Sequence, residues 1–321
     1  MDSDSLRTKG SQETLASLMQ LDPSPIESPR LNTEKALPPL PEHDEDLEPL
    51  VKSRSRSATG VGLSGSHGAA YYLTRIQRYS SYTFSLFAGL HLATTSIIPL
   101  VAQSVPSSES YLLLAREIYQ TPLSEPLLVG LPVVAHVGSG LVLRFLRRQH
   151  NVRRYWGAYG ADLRSGWPQF SYIAASGYGF AVALAAHVFV NRGLPLAVEG
   201  DSANIGLAYV AHGFVRHRLT SWAAYTALLG LGCGHMIWGW AKWFGLAQGA
   251  GWKLERHTGN ATADRQTKKK RRRRLLIINA VVVVATAVWA AGGLGVVARG
   301  GETPGWVGRL YDGLYARIPG F

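Results

Sequence analysis

Four long apolar segments dominate the chain between Tyr79 and Phe244, and each contains one histidine. A fifth apolar segment follows them and contains none. Each is about twenty residues long, which is enough to cross a hydrocarbon layer as a helix. Because backbone polar groups in lipid must be paired within the segment, the pattern predicts an all-α membrane protein with about five transmembrane helices. The segments are Ser80–Val101, Leu127–Leu146, Phe170–Val190, Ser221–Phe244 and Leu275–Val297.

The stretch before the helices has a different composition. Residues 1–68 are rich in Pro and Ser and contain no Phe, Trp or Tyr. Such a stretch has too few apolar side chains to bury a core, so we expect a disordered tail. The predicted parts after it are a four-helix membrane bundle at 69–244, a basic loop at 245–274, a fifth transmembrane helix at 275–299 and an interfacial C-terminal segment at 300–321. The C-terminal segment could instead pack on the bundle.

The bundle shows signs of an internal duplication. The four histidines recur at intervals of 96 and 99 residues, from His91 to His187 and from His136 to His235. Short strings around them also correspond between the two halves. We therefore predict a two-helix unit repeated in parallel, with repeats at about 70–165 and 166–250.

Charge gives the orientation of the helices. The chain has 33 Lys and Arg against 21 Asp and Glu, a formal net charge of +12, yet residues 2–56 contain more acids than bases. The positive excess belongs to the helical part, where the loops between helices two and three and between helices four and five are basic. Cytosolic loops carry the excess of Lys and Arg. We therefore expect a cytosolic tail and a C-terminus on the opposite side.

A run of seven basic residues precedes the fifth helix. It resembles a nuclear signal or an RNA-binding patch. Because an apolar helix begins directly after it, we interpret the run as a flank that contacts lipid head groups, and we expect no nucleic-acid partner. The residues are Lys268, Lys269, Lys270, Arg271, Arg272, Arg273 and Arg274.

Two proline clusters lie in the tail. Pro-x-Pro segments favour the extended polyproline II conformation, which loses little entropy when it docks into a groove. The alternative is linker proline without a partner. The first candidate for partner binding consists of Leu37, Pro38, Pro39, Leu40 and Pro41, and the second of Pro23 and Pro25.

The four histidines allow two interpretations. Intramembrane ionisable residues are candidates for function, and a haem iron in a helical bundle needs two opposed imidazoles. Two pairs at two depths would meet that need, an arrangement that resembles the haem b and quinone-binding anchors of succinate dehydrogenase and fumarate reductase. In the alternative, each imidazole hydrogen-bonds a neighbouring helix. The possible haem ligands are His91, His136, His187 and His235.

Other chemistry finds little support in the sequence. There is no phosphate-binding glycine loop, no zinc-protease motif and no serine-hydrolase elbow, and acids are almost absent from the apolar segments. The single cysteine, Cys233, lies within the fourth segment. We therefore predict no enzyme, no catalytic residue and no metal site, and haem b is the one cofactor that we consider.

Several strings resemble one family. They are Arg75-Ile76-Gln77-Arg78-Tyr79-Ser80-Ser81, Gly89-Leu90-His91-Leu92, Ala135-His136-Val137-Gly138-Ser139-Gly140 and Tyr155-Trp156-Gly157-Ala158-Tyr159-Gly160. Over about residues 70–321 the chain is similar to the fungal mitochondrial outer-membrane adaptor with a duplicated transmembrane domain.

The resemblance implies a multi-pass protein of the mitochondrial outer membrane that supports lipid homeostasis. It also implies that the cytosolic tail recruits a chorein-type, bridge-like lipid-transfer protein to vacuole–mitochondrion contact sites through a Pro-x-Pro motif. On this chain the motif falls best on Pro39-Leu40-Pro41. The alternatives are a haem b electron carrier or quinone-reactive anchor, and a bundle that itself passes lipids across the membrane.

Overall fold

The computed structural model describes residues 68–156, 167–252 and 259–319. Within these ranges the chain is all-α and contains no strand, as the apolar pattern predicts. The helix α1 consists of Ala69–Leu92, Ala93–Ile97 and Ile98–Ala102, and α2 is Val105–Tyr119. The helix α3 consists of Glu125–Gly130 and Leu131–Trp156. The helix α4 consists of Tyr172–Val188, Phe189–Gly193 and Leu194–Glu199. The helices α5 to α8 are Leu207–Arg216, Arg218–Trp243, Ala261–Gly293 and Gly305–Tyr315.

Four helices in the described part of the chain are long and apolar enough to cross a membrane, by length and composition. They are Ala69–Ala102, Glu125–Val152, Tyr172–Glu199 and Ala261–Arg299. The remaining predicted segment, Ser221–Phe244, lies almost entirely in the 26-residue helix α6. This helix is not among the four that are long and apolar enough to cross a membrane. At about 1.5 Å per residue α6 has a length of about 39 Å, and it packs against the crossing helices α4 and α7.

The helices pair within the two predicted repeats. The helix α1 packs on α3, and α4 packs on α6, while α7 lies against α6 and the last turns of α1. The start of α1 meets the end of α6, where Tyr82 stacks on Trp240 with ring centroids 4.9 Å apart. We call this end of the bundle, where α1 and α4 begin and α3 and α6 end, the basic end.

The helices α1 and α4 each contain a widened π-helical turn at the equivalent place, Ala93–Ile97 and Phe189–Gly193. A proline, Pro99 or Pro195, follows two residues after each turn. Proline lacks an N–H, and its ring collides with the carbonyl four residues earlier, which here lies inside the widened turn. The turn makes room for the ring without breaking the helix.

Three helices, α2, α5 and α8, form a cap at the opposite end of the bundle. The C-terminal segment, which was predicted to be interfacial, forms α8, and α8 packs its apolar face on α5. Tyr209 and Tyr315 stack with centroids 4.6 Å apart, and the Tyr315 hydroxyl donates to the Tyr209 carbonyl at 3.1 Å. Protein contacts thus cover most of the apolar side chains of α8, whereas Trp306 is exposed. The buried cluster comprises Leu194, Ile205, Tyr209, Tyr311, Leu314, Tyr315 and Ile318.

The basic run lies on a helix rather than in a loop. The helix α7 begins at Ala261, well before the predicted start at Leu275. Asn260 caps it by accepting hydrogen bonds from the N–H groups of Thr262 and Ala263, at 3.0 and 3.2 Å. Since Lys, Arg and Gln are good helix formers, the apolar helix continues outward from the membrane as a charged one.

Candidate functional site: two histidine pairs

The structure brings the four predicted histidines together as two pairs. The rings of His91 and His187 have centroids 6.1 Å apart, and those of His136 and His235 have centroids 5.9 Å apart. The first pair joins α1 to α4, and the second joins α3 to α6. We call them the cap-side pair and the basic-side pair.

Each basic-side histidine is oriented by a backbone carbonyl. Nδ1 of His136 lies 2.9 Å from the carbonyl oxygen of Gln77, and Nδ1 of His235 lies 3.0 Å from that of Ile173. A carbonyl only accepts, so Nδ1 donates its proton and Nε2 keeps a lone pair. Gly177 permits the approach of His235, because a Cβ there would lie 2.6 Å from its Cε1 atom.

The two repeats place these groups at the same register. Gln77 precedes His91 by 14 residues, and Ile173 precedes His187 by 14 residues. Each π-helical turn begins two residues after the histidine of its helix. The duplication therefore extends from the sequence to the individual hydrogen bonds of the bundle.

The cap-side pair has a different environment. Nδ1 of His187 lies 3.3 Å from the amide nitrogen of Asn191, which donates, so the proton of this imidazole is on Nε2. Nδ1 of His91 lies 3.4 Å from the Tyr119 hydroxyl of α2. This pair is therefore held by side chains, whereas the basic-side pair is held by the backbone.

Each pair lines its own cavity. The cavity at the basic-side pair has a volume of about 310 Å³, and the cavity at the cap-side pair has a volume of about 650 Å³. We call them the basic-end cavity and the cap-end cavity. The same apolar side chains, among them Phe84, Phe180 and Leu184, line both and so separate the two pairs.

The cap encloses the larger cavity with a network of charges. Arg116 of α2 donates to the carbonyls of Ser202 and Ile205, both at 2.8 Å. The Glu109 carboxylate accepts from the N–H of Leu207 at the start of α5. Burial raises the pKa of Glu109, against the opposing effects of that N–H group and of Arg116. The network fixes the start of α5 against α2.

Three basic residues line the basic-end cavity: Arg144 and Arg147 of α3 and Lys242 of α6. No Asp or Glu is among its lining residues in the described part of the chain. In the sequence, Arg144 and Arg147 contribute to the predicted orientation, and Lys242 supports no prediction. Each of the three residues follows a histidine on the same helix by about two to three helical turns. This spacing is the sequence signal that could have located the basic residues beside the histidine pair.

The remaining predicted residues do not join this site. The proline clusters, with Leu37 to Pro41, Pro23 and Pro25, lie outside the described residues. The basic run 268–274 lies on α7, and most of it is exposed. Within the described ranges no group of three or more His, Cys, Asp or Glu residues is arranged to hold a metal ion.

Comparison with known proteins gives one match. Residues 182–302 match the family model described as MDM10-complementing protein 1, transmembrane domain. The matched span covers somewhat more than a third of the chain, from within α4 to just beyond α7. No curated protein and no solved structure matches the chain.

The family match indicates where the protein is located and what kind of protein it is. It supports a mitochondrial membrane protein similar to the MDM10-complementing family, in agreement with the apolar helices of the described residues. The family is not a known family of enzymes.

Proposed function

We propose that this protein is an adaptor of the mitochondrial outer membrane that recruits a bridge-like, chorein-type lipid-transfer protein and so supports mitochondrial lipid homeostasis. The observation that carries the proposal is the family match over residues 182–302. The resemblance in residues 70–321 points to the same family. In this proposal the bundle is an anchor, and the chain performs no catalysis.

The tail, in this proposal, binds the partner. Its Pro39-Leu40-Pro41 segment has the Pro-x-Pro sequence that partner grooves bind in an extended form, and Leu37 and Leu40 are its apolar residues. About 27 residues separate Pro41 from the first turn of α1 at Gly68. In this proposal the motif acts on the cytosolic side, at a vacuole–mitochondrion contact.

Recruitment by the full-length protein tests the proposal. We expect the variant Pro39→Ala/Pro41→Ala to insert into mitochondria normally and to lose co-purification of the lipid-transfer protein. The control Pro23→Ala/Pro25→Ala makes the same chemical change elsewhere in the tail and should retain the partner. Unchanged recruitment by both variants would refute the Pro-x-Pro mechanism, and loss only in the control would move the motif to the second cluster.

A second candidate function is haem b binding, and one observation favours it. Metal-bound histidines usually donate the proton of their other nitrogen to a carbonyl or carboxylate. His136 and His235 do so, and each has an Nε2 lone pair left for iron. The cap-side pair fits less well, because the proton on Nε2 of His187 occupies the position that iron would need. The family match does not support haem binding.

Haem bound there would supply one-electron chemistry, while the chain would provide two imidazoles held by α3 and α6. The absorption spectrum of the purified protein, oxidised and reduced, tests this candidate. We expect a Soret band that the variants His136→Ala and His235→Ala lose and that the exposed control His150→Ala keeps. Absence of the band in the unmodified protein under both conditions refutes it.

A further inference from the structure

The basic-end cavity combines two properties that a ligand must match. Its wall is mostly apolar, and its charged residues have one sign only. Arg144, Arg147 and Lys242 line it without a carboxylate among the described residues. A cleft with charges of one sign focuses the field and attracts a counter-ion. An anionic group is therefore the complement of this cavity.

The three basic side chains differ in their contacts with the rest of the protein. Arg144 donates to the Pro168 carbonyl at 2.8 Å, and its guanidinium lies 3.7 Å from the centre of the Phe170 ring. Arg147 and Lys242 are exposed, and neither takes part in an ion pair among the described residues. The ammonium group of Lys242 lies 5.1 Å from the centre of the Trp243 ring, a contact that leaves its N–H donors open. Arg144 is thus fixed in place, whereas the other two are available to an anion.

The cations and the apolar wall occupy different depths. Arg144 and Arg147 follow His136 by 8 and 11 residues on α3, and Lys242 follows His235 by 7 residues on α6. At the rise of an α-helix, the cations lie about 10–16 Å further toward the basic end than the histidines. Phe84, Val133 and Leu184 line the deeper part. A fitting ligand therefore has a charged head and an apolar body.

We propose that the basic-end cavity is a binding site for one anionic phospholipid, whose phosphate lies between Arg147 and Lys242 and whose acyl chain extends toward the basic-side histidine pair. The apolar wall favours a membrane lipid over free phosphate, since a small ion leaves that surface uncovered. The site lies in the bundle and is independent of the proline motif. Failure of tail recruitment therefore leaves this inference intact, and the reverse also holds.

The experiment titrates the full-length protein, in a neutral detergent, with short-chain phosphatidylglycerol and with phosphatidylcholine of the same chains. Trp240 and Trp243 line the cavity, so their fluorescence reports occupancy. We expect a saturable change with phosphatidylglycerol, no saturable change with inorganic phosphate, and at least about tenfold weaker binding of phosphatidylcholine.

Variants assign the response to the cavity. Arg147→Gln/Lys242→Gln should weaken phosphatidylglycerol binding about tenfold, because charge-assisted bonds to the phosphate are lost. Arg147→Lys/Lys242→Arg keeps both charges and should restore binding. The control Lys269→Gln/Arg273→Gln removes two charges from the exposed part of α7 and should bind as the unmodified protein does.

Three results would overturn the proposal. One is equal binding of the two lipids, and another is an equal loss in the α7 control. The third is a Soret band that is lost in His136→Ala, since haem would then occupy the cavity. Unfolding temperatures of all variants, measured alongside, separate a loss of binding from a loss of folding.

Discussion

Asp312 lies at the edge of the cap, where α8 meets the buried imidazole of His212. Nδ1 of His212 accepts the N–H of Thr303 at 3.1 Å, so Nε2 carries the proton and donates it to Asp312 at 3.1 Å. Arg216 donates to the same carboxylate oxygen at 3.0 Å. The His212 hydrogen bond, together with the charge of Arg216, holds the pKa of Asp312 below its usual range.

The lowered pKa predicts a loss of stability in acid. An aspartate with a lower pKa in the folded state stabilises the fold above its unfolded pKa of about 3.9, and the gain disappears as the pH falls through the folded value. We expect the unfolding temperature to drop below about pH 4 and the drop to be smaller in Asp312→Asn. Asp312 is partly exposed, so solvent screening keeps the effect modest.

Thermal unfolding of the detergent-solubilised protein between about pH 3 and pH 7 measures this effect. Asp201→Asn, in an exposed turn of the cap, is the matched control and should follow the unmodified protein. An Asp312→Asn profile with the same acid slope as the unmodified protein would contradict the assigned role of His212.

At the same scale, the sequence located the histidines but not their partners. Each histidine is alone in an apolar segment, which makes it visible. The groups that orient His136 and His235 are the carbonyls of Gln77 and Ile173, and every residue has a carbonyl. The pairing of the rings depends on helix rotation, which an apolar pattern covering most of a helix surface does not define.

At the scale of elements, α7 crosses α1 at the π-helical turn with almost no space between the backbones. A Cβ at Gly292 would lie 1.8 Å from the carbonyl oxygen of Ser96. Small residues permit such close approach of membrane helices, where packing rather than water exclusion drives association. The crossing thus depends on this glycine.

Gly292→Val should therefore separate α7 from α1. Overpacking of a close contact costs about 1–3 kcal/mol, and here the obstacle is backbone that cannot rotate away. We expect a lower unfolding temperature and faster protease cleavage near α7. Gly89→Ala, in the middle of α1 with nothing within 4 Å of the added Cβ, should be close to neutral. Equal stability of the two variants would mean that α7 is not packed at Ser96.

The sequence predicted the long helices well and their local irregularities poorly. Apolar length predicted five crossing helices, of which four are long and apolar enough in the described structure. The widened turns depend on the rings of Pro99 and Pro195, which helical periodicity does not reveal. The early start of α7 has a similar reason. The change from basic to apolar residues at Leu275 marks the membrane boundary, whereas Asn260 marks the helix boundary.

At the scale of the whole molecule, the described chain enters and leaves the bundle at opposite ends. The helix α1 begins at the basic end, and α8 is part of the cap. Composition selects four crossing helices, and α6, which packs against α4 and α7, would be a fifth. Five crossings place the two termini on opposite sides of the membrane, and four place them on the same side.

Protease protection in intact mitochondria distinguishes five membrane crossings from four. Arg144, Arg147, Lys242 and the basic run of α7 all lie toward the basic end, so that end should face the cytosol with the tail. We expect a tag fused before Met1 to be cleaved by added protease, and a tag fused after Phe321 to be protected until the membrane is opened.

Cleavage of both tags without opening would remove α6 from the membrane and would place the cap on the cytosolic side. The cations of the basic-end cavity would then no longer lie beside lipid head groups, because their position there requires α6 to cross next to α4.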